Sequence, residues 1–469
     1  MVQMSIAGLM PVIVKRLWDT PQARTRKRSV IKMKRRQFIK SSAVFAGFSI
    51  LPSGAWSDSP NGRFCTAHIG VGGMGAGDLA SIKKHQKVQV VGLADVDQRI
   101  LAQDKYKNMP DAAQFSDYRE MLSTMGDKID GVVVSTPDHT HYPATLMAMN
   151  MGKPVYCQKP LTHEISEAYA LAKLAKEKKI VTQMGIQLHS TIGNRIAVDF
   201  LQQGIIGKVS KVYVWSSKKW GSDAPTNTGS DPVPDGLDWN LWLGTAKERP
   251  YLNGKYHRAN WRKVLDFGCG TMGDMGVHIM DISYTALNLG FPSSVKVTCR
   301  EPTNDSHPTK NIVEFVFPGT EYTTDTVEFT WFDGSYAPNA KAQTNPDLQL
   351  EGGKMLPSQG AMCIGEDGKR MLLPHGSAPQ PLPRDLLGSI TKPDLKGVDH
   401  YHQWVDAAMG QGTCSAGFDY ASKLTAGVLL GSLGNRFPGK KLLWDGDAMR
   451  FTNNEDANKL VTRDYRTEY

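Results

Sequence analysis

An α/β fold in two parts is what this sequence predicts: a parallel sheet wound with helices, followed by an α+β portion on a large, mostly antiparallel sheet. Three observations carry the prediction. From Phe64 onward, short β-branched runs alternate with helical stretches long enough to be crossover connections. After about residue 190 the rhythm changes to strands of alternating polarity, as expected of a sheet with one covered face. Between the first strand and the first helix stands Gly70-Val71-Gly72-Gly73-Met74-Gly75.

Taken in order, the parallel-sheet strands are expected at 64–69, 88–93, 131–135, 154–157 and 180–184, with helices near 74–84, 97–108, 117–124, 139–151 and 164–178. Strands of the second sheet are expected at 209–217, 312–317 and 321–330, and 222–238 reads as a Pro/Gly/Asp-rich loop. The chain has 469 residues, 40% hydrophobic and 22% charged, enough for a full core divided between two domains. The expected boundaries are 58–189 and 190–469.

The formal charge of +9 is local. Residues 1–40 carry eleven Lys or Arg against Asp19 alone, and subtracting that +10 leaves residues 58–469 near −1. A body so close to neutral offers no electrostatic footprint for nucleic acid. Within the basic segment, Lys34-Arg35-Arg36-Gln37-Phe38-Ile39-Lys40 precedes an uncharged run over 41–51 and small residues up to Ser57. That order marks 1–57 as a signal region. The paired arginines resemble the twin-arginine type, whose translocon exports folded proteins, so a periplasmic or otherwise exported location is expected. Met33 directly before the motif leaves 1–32 open to reading as an over-extended start. Six scattered cysteines without a CxxC pair give neither a zinc knuckle nor a disulfide framework.

The glycine run sits where a dinucleotide fingerprint must sit, between strand and helix. Gly70 permits the tight turn, Gly72 and the adjoining Gly73 and Met74 let backbone approach a pyrophosphate, and Gly75 lets the helix pack on the strand. Asp95 ends the second strand twenty residues on. A carboxylate there accepts from a ribose 2′-OH and repels a 2′-phosphate, favouring NAD over NADP. These features define a Rossmann dinucleotide-binding domain.

Three segments carry reactive side chains: Cys157-Gln158-Lys159-Pro160, Trp261-Arg262, and Gly273 to Asp281. On a regular helix Asp274 and His278 are i and i+4, sharing a face. That spacing suits a histidine base oriented by a carboxylate, with a lysine ammonium near to polarise or relay. The plain alternative is a helix-start Asp satisfying backbone N–H groups and a packed core histidine. Asp274, His278 and Asp281 also read as metal ligands, but no further helix-face His completes a site, and no metal is expected.

The fingerprint, Ser135-Thr136-Pro137-Asp138-His139-Thr140-His141, Lys159-Pro160 and Asp274-x-x-x-His278 together resemble the glucose-fructose oxidoreductase and inositol dehydrogenase family (Gfo/Idh/MocA). The resemblance continues through Leu237-Asp238-Trp239, Trp242-Leu243-Gly244 and the tail Lys441 to Asp445, and the leader matches an exported bacterial branch. It implies a nicotinamide-dependent oxidoreductase acting on a secondary hydroxyl of a sugar, cyclitol or polyol, with tightly held cofactor. By the same resemblance Lys159 contacts substrate and nicotinamide ribose, Asp274 positions or relays, and His278 takes the hydroxyl proton. Thr136, Pro137 and His139 line the cofactor cleft, and Trp261 and Arg262 lie near nicotinamide and substrate. Two departures stand out: Gln158 where Glu is usual, and Gly185-Ile186-Gln187-Leu188-His189 in place of an Asn- and Arg-containing segment, so that Gln187 and His189 become candidate contacts.

Two further readings remain at this level: an NAD-dependent glycosidase working by transient oxidation and elimination, and a non-catalytic sugar-binding relative. The family also implies a homo-oligomer, dimer or tetramer, through the open sheet face. The tryptophans 215, 220, 239, 242 and 261 read either as sugar-stacking platforms or as core anchors, and 217–258 is expected to choose the sugar.

Overall fold

The computed structural model describes residues 62–302, 304–339, 344–391 and 393–467. The twin-arginine motif and the rest of the signal region 1–57 lie outside the described residues.

Strands β1 (Phe64–Ile69), β2 (Val88–Ala94), β3 (Ala113–Phe115), β4 (Gly131–Val134), β5 (Val155–Gln158) and β6 (Thr182–Gly185) form one sheet in the order β3-β2-β1-β4-β5-β6. Every pairing in it is parallel. The order reverses between β1 and β4, and a doubly wound sheet opens its crevice at that point, beyond the carboxyl ends of the strands. Strands buried on both faces read as continuous apolar runs, which is why Val132, Val133 and Val134 are all essentially inaccessible.

Sequence expectation and structure agree on these strands to within two residues, apart from β3. That strand is three residues long and its first two positions are exposed, so it carries no burial pattern. The single helix expected at 97–108 is instead two short ones, Gln98–Leu101 and Asp104–Lys107. Asp97 caps the first through Arg99 N–H, and Gln103 is extended between them (φ −68°, ψ 143°).

The second sheet has nine strands: β7 (Val209–Ser216), β8 (Ser294–Thr298), β9 (Ile312–Pro318), β10 (Thr323–Asp333), β11 (Gln359–Ile364), β12 (Arg370–Pro374), β13 (Gln380–Leu382), β14 (Lys441–Asp445) and β15 (Arg450–Phe451). Their order is β13-β12-β11-β7-β10-β9-β8-β14-β15. β7 and β10 pair in parallel and the rest are antiparallel. Phe315, Phe317, Phe329 and Trp331 point to the covered face, while Glu314 and Glu328 stay outside. Helix Phe418–Gly434 packs against both β8 and helix Ile165–Lys178, joining the sheets through one core. Helix His400–Ala408, late in the chain, returns to the parallel sheet, where Trp404 meets Phe64 and Tyr156 edge-on.

Candidate active site

A cleft of about 490 Å³ opens at the carboxyl ends of the parallel strands. Gly70, Gly72, Gly73 and Met74 line one end, Asp95 follows β2, Thr136 and Pro137 follow β4, Lys159 follows β5, and Gln187 follows β6. The same strand ends that reverse the sheet order therefore deliver most of the predicted site residues to one crevice.

Gly75 does not face the cleft. A Cβ there would lie 1.9 Å from Gly70 O, so only glycine lets the helix start close under the turn. Gly70 has φ 78° and its Cβ would meet Ser135 O at 2.8 Å, so the β1 and β4 turns touch backbone to backbone. This is a cradle in which side chains have been removed where a phosphate needs to approach amide groups, and a dinucleotide fits it. Asp95 Oδ2 accepts from Val71 N (3.0 Å) and Oδ1 from Asp97 N (3.0 Å). Burial raises the Asp95 pKa, opposed by those amides.

The other end of the cleft is built from side chains. Lys159 Nζ donates to Asp274 O (2.9 Å) and Oδ1 (2.7 Å), which leaves one ammonium N–H for the cleft. Asp274 Oδ1 also accepts from Arg262 Nε (3.1 Å), Oδ2 accepts from Trp220 Nε1 (2.7 Å), and Lys218 Nζ stands 3.6 Å from Oδ2. Burial alone would push this carboxyl up, but Lys159 and Arg262 prevail and hold it far below the usual carboxylate range. The Arg262 guanidinium lies over the Trp261 ring at 4.2 Å. His278 lines the cleft with Nδ1 buried and unpartnered. Burial, then the positive charge of Lys159, drives its pKa well below the ordinary histidine value, so the ring is neutral.

One expectation is corrected here. Asp274 and His278 were expected to be stacked on a helix, with the carboxylate orienting the imidazole. Met272–Gly276 is instead a single wide turn with π-type bonding, followed by Val277–Ile279 in α geometry. Both carboxylate oxygens are taken by Lys159, Arg262 and Trp220, and none of these bonds goes to His278. The structure thus pairs Asp274 with Lys159.

His139 also departs from expectation. It is fully buried behind the cleft, its Nε2 2.9 Å from Trp242 O and its ring against Trp242 and Phe267. Gln187 lines the cleft and donates to Tyr401 Oη (3.0 Å), whereas His189 turns away to Asp281 Oδ1 (2.9 Å). Gln158 donates to both oxygens of buried Asp78 (3.0 and 2.9 Å) and accepts from Lys159 N (3.2 Å). A glutamate at that position would set two carboxylates face to face, so the amide suits this chain's Asp78. His141 ties the turns together, its ring nitrogens 2.8 Å from Pro160 O and 2.9 Å from Thr136 O.

The tryptophans divide. Trp215 is a core residue, and Trp239 stacks on Trp242 within a loop cluster, whereas Trp220, Trp242 and Trp261 reach the cleft or Asp274. The loop expected to select the sugar also covers the nucleotide end: Gln98 N donates to Gly236 O, Asp238 N donates to Val96 O, and His257 and Arg258 line the cleft. Lys218 and His375, whose ring is 5.7 Å from that of His278, were not anticipated. Each lies on a loop after a second-sheet strand, where no local motif marks it.

Residues 64–186 match the family model described as an oxidoreductase family, NAD-binding Rossmann fold, and 194–320 match its companion, the C-terminal alpha/beta domain. Together the two cover more than half of the chain. It belongs to the Gfo/Idh/MocA oxidoreductase family. Its glycine cradle lies within the residues matched by the NAD-binding domain. It is 23% identical over 168 residues to a levoglucosan dehydrogenase of Pseudarthrobacter phenanthrenivorans (36% of this chain, 35% of that protein). It is 34% identical over 137 residues to a glycosyl hydrolase family 109 protein of Stenotrophomonas maltophilia (27% and 29%). The chain thus spans about a third of the length of these curated relatives. In fold it is similar to the WlbA dehydrogenase of Bordetella pertussis, solved with NADH and UDP-GlcNAcA, at a TM-score of 0.57 and 12% identity, covering 82% of this chain and 99% of that one.

Proposed function

We propose that this protein oxidises a secondary hydroxyl of a sugar, cyclitol or related polyol, with NAD preferred over NADP. The observation that carries this reading is the Lys159–Asp274 pair (2.7 Å) beside a neutral His278 in the same cleft as the glycine cradle. A bound nicotinamide dinucleotide supplies the hydride acceptor. Gly70, Gly72, Gly73 and Met74 would hold its phosphates and Asp95 its ribose, with Thr136, Pro137, Gln187 and Trp261 lining the rest of the cleft.

The chain's own work is to hold and move a proton. His278, kept neutral by burial and neighbouring cations, accepts the hydroxyl proton. Lys159 offers its free N–H to the substrate oxygen and stabilises negative charge as the proton leaves. Asp274 is too firmly ionised to act as a base and instead fixes Lys159, Arg262 and Trp220 around the substrate, which makes it a positioning residue. Export through the twin-arginine route belongs to the same proposal, since that route carries a folded protein with its cofactor.

A second reading is supported by the similarity to a family 109 glycosyl hydrolase: the same proton-handling groups would serve transient oxidation followed by loss of an aglycone. The test incubates the protein with sugars, cyclitols and aryl glycosides and reads nicotinamide absorbance and aglycone in the same wells. Cofactor reduction without aglycone supports the dehydrogenase, aglycone without net reduction supports the glycosidase, and neither across the panel overturns both.

A further inference from the structure

A second cavity, of about 340 Å³, lies behind the turn that carries Asp274. Its walls come from the start of helix Ile165–Lys178, the carboxyl end of helix Phe418–Gly434, and the tail around 459–464. It is separate from the cofactor cleft. Cys269 lines it while donating its backbone N–H to Asp138 Oδ2 (3.2 Å), and Asp138 lines the cleft on the other side.

The polar groups facing this space are under-satisfied in one direction. Arg436 is partly buried, and its side chain makes no hydrogen bond or ion pair among the described residues; burial pulls its pKa down and the charge of Glu164 opposes that. Arg463 is anchored by Nη1 to Asp266 O (3.0 Å) and by Nη2 to Thr245 Oγ1 (2.8 Å), which leaves Nε buried without a hydrogen bond and 3.8 Å from Glu164 Oε1. The His163 side chain is only 7% exposed; its Nδ1 meets Glu164 Oε1 at 2.8 Å and its Nε2 is buried without a partner. Thr462 Oγ1 is buried and unpartnered as well.

The acids nearby are already engaged. Asp266 is ion-paired with Arg249, and Asp464 is exposed at the mouth with Lys247 and Lys459. In the buried part Glu164 and Glu167 are the acids near the guanidinium groups, and the Glu167 carboxylate already accepts from Tyr465 Oη and from the His163 and Glu164 amides. A buried donor left without an acceptor is costly. An oxyanion accepting from Arg436 and from the free Nε–H of Arg463 would supply the missing acceptor. The volume is larger than a bare ion needs, and Thr462 offers a hydroxyl beyond the charged corner.

We propose that this cavity is a binding site, distinct from the cofactor cleft, for a small molecule bearing one carboxylate or phosphate group. Phosphate-bearing and carboxylate-bearing ligands share the recognition chemistry, bidentate acceptance from arginine, so the test carries one probe of each.

The NAD-saturated protein, its cleft filled, is titrated calorimetrically at constant ionic strength with inorganic phosphate and with D-gluconate. The expected result is one-to-one binding of at least one probe, weakened about tenfold or more in Arg436→Gln, restored in Arg436→Lys, and unchanged in Lys159→Ala. No binding of either probe at millimolar concentration would overturn the proposal. So would binding lost in Lys159→Ala and kept in Arg436→Gln, which would place the anion at the substrate end of the cleft. If Arg436→Gln does not fold, the wild-type melting temperature decides: the probe must raise it saturably with NAD already at saturation, and a rise abolished by NAD would contradict the site.

Discussion

The two ends of the cleft are made differently. The nucleotide end is backbone: a strand, a turn stripped of side chains, a helix start and one acid, all within 70–95. The chemistry end is side chain: Lys159, Lys218, Trp220, Arg262, Asp274, His278 and His375 converge from segments scattered over more than 200 positions. The difference teaches where each end is vulnerable. Steric change breaks the first, because its parts touch at backbone distance. Charge change breaks the second, because one buried carboxylate holds Lys159 and Arg262 in place, with Lys218 close by.

The sharpest way to break the comparison is at Lys159. Lys159→Ala should lower kcat by about 10²–10⁴ while leaving NAD affinity within a few fold, as read by steady-state kinetics and cofactor titration; equal loss of both would mean that the ends are not separable. Gly75→Ala should do the reverse, destabilising the fold by about 1–3 kcal/mol and weakening NAD binding more than tenfold, because its Cβ has nowhere to go against Gly70 O. Denaturant unfolding and NAD titration check it together.

A pH measurement comes next. His68, in β1 beneath the glycine turn, and His307, against Gly268 O beneath the chemistry end, are buried and neutral, burial lowering both to about 3. A folded value below the unfolded one means that the unfolded chain binds more protons. The stability is therefore intact above about pH 6.5 and is lost as pH falls toward 3, at about 2 kcal/mol per residue by pH 5. Melting temperature should drop between pH 7.5 and 5, and His68→Gln or His307→Gln should each flatten that dependence. The smallest effect is expected at Asp95. Asp95→Asn should narrow the preference for NAD over NADP by about tenfold in relative kcat/KM.

How far the molecule was legible in its sequence follows from the same contrast. The Gly70–Gly75 turn and Asp95 are local and could be placed by spacing alone. Lys159, Asp274 and His278 were legible as residues but not as a geometry, because Lys159 and Trp220, which take the Asp274 carboxylate, lie far from it in sequence. The Gln158–Asp78 contact joins residues 80 positions apart and leaves no local trace. His139, read as a cleft residue, is packed behind it for want of any sequence signal separating a buried polar ring from an exposed one. In the fold, β3 was invisible for lack of burial, and β8 and β11 to β15 are short strands whose pairing is set by partners distant in sequence.

In the proposed reaction a neutral His278 takes the substrate proton at a site separate from the nucleotide cradle. The most direct test is single-turnover reduction of bound NAD by the best substrate of the sugar panel, comparing the wild type with His278→Ala and following nicotinamide absorbance from pH 5.5 to 9. His278→Ala is expected to retain NAD yet reduce it slower by about 10²–10⁴, while the wild type stays active below pH 6.5, where an ordinary histidine would already be protonated. An unchanged rate in His278→Ala would contradict that role, as would a wild-type rate that falls away at the ordinary histidine value.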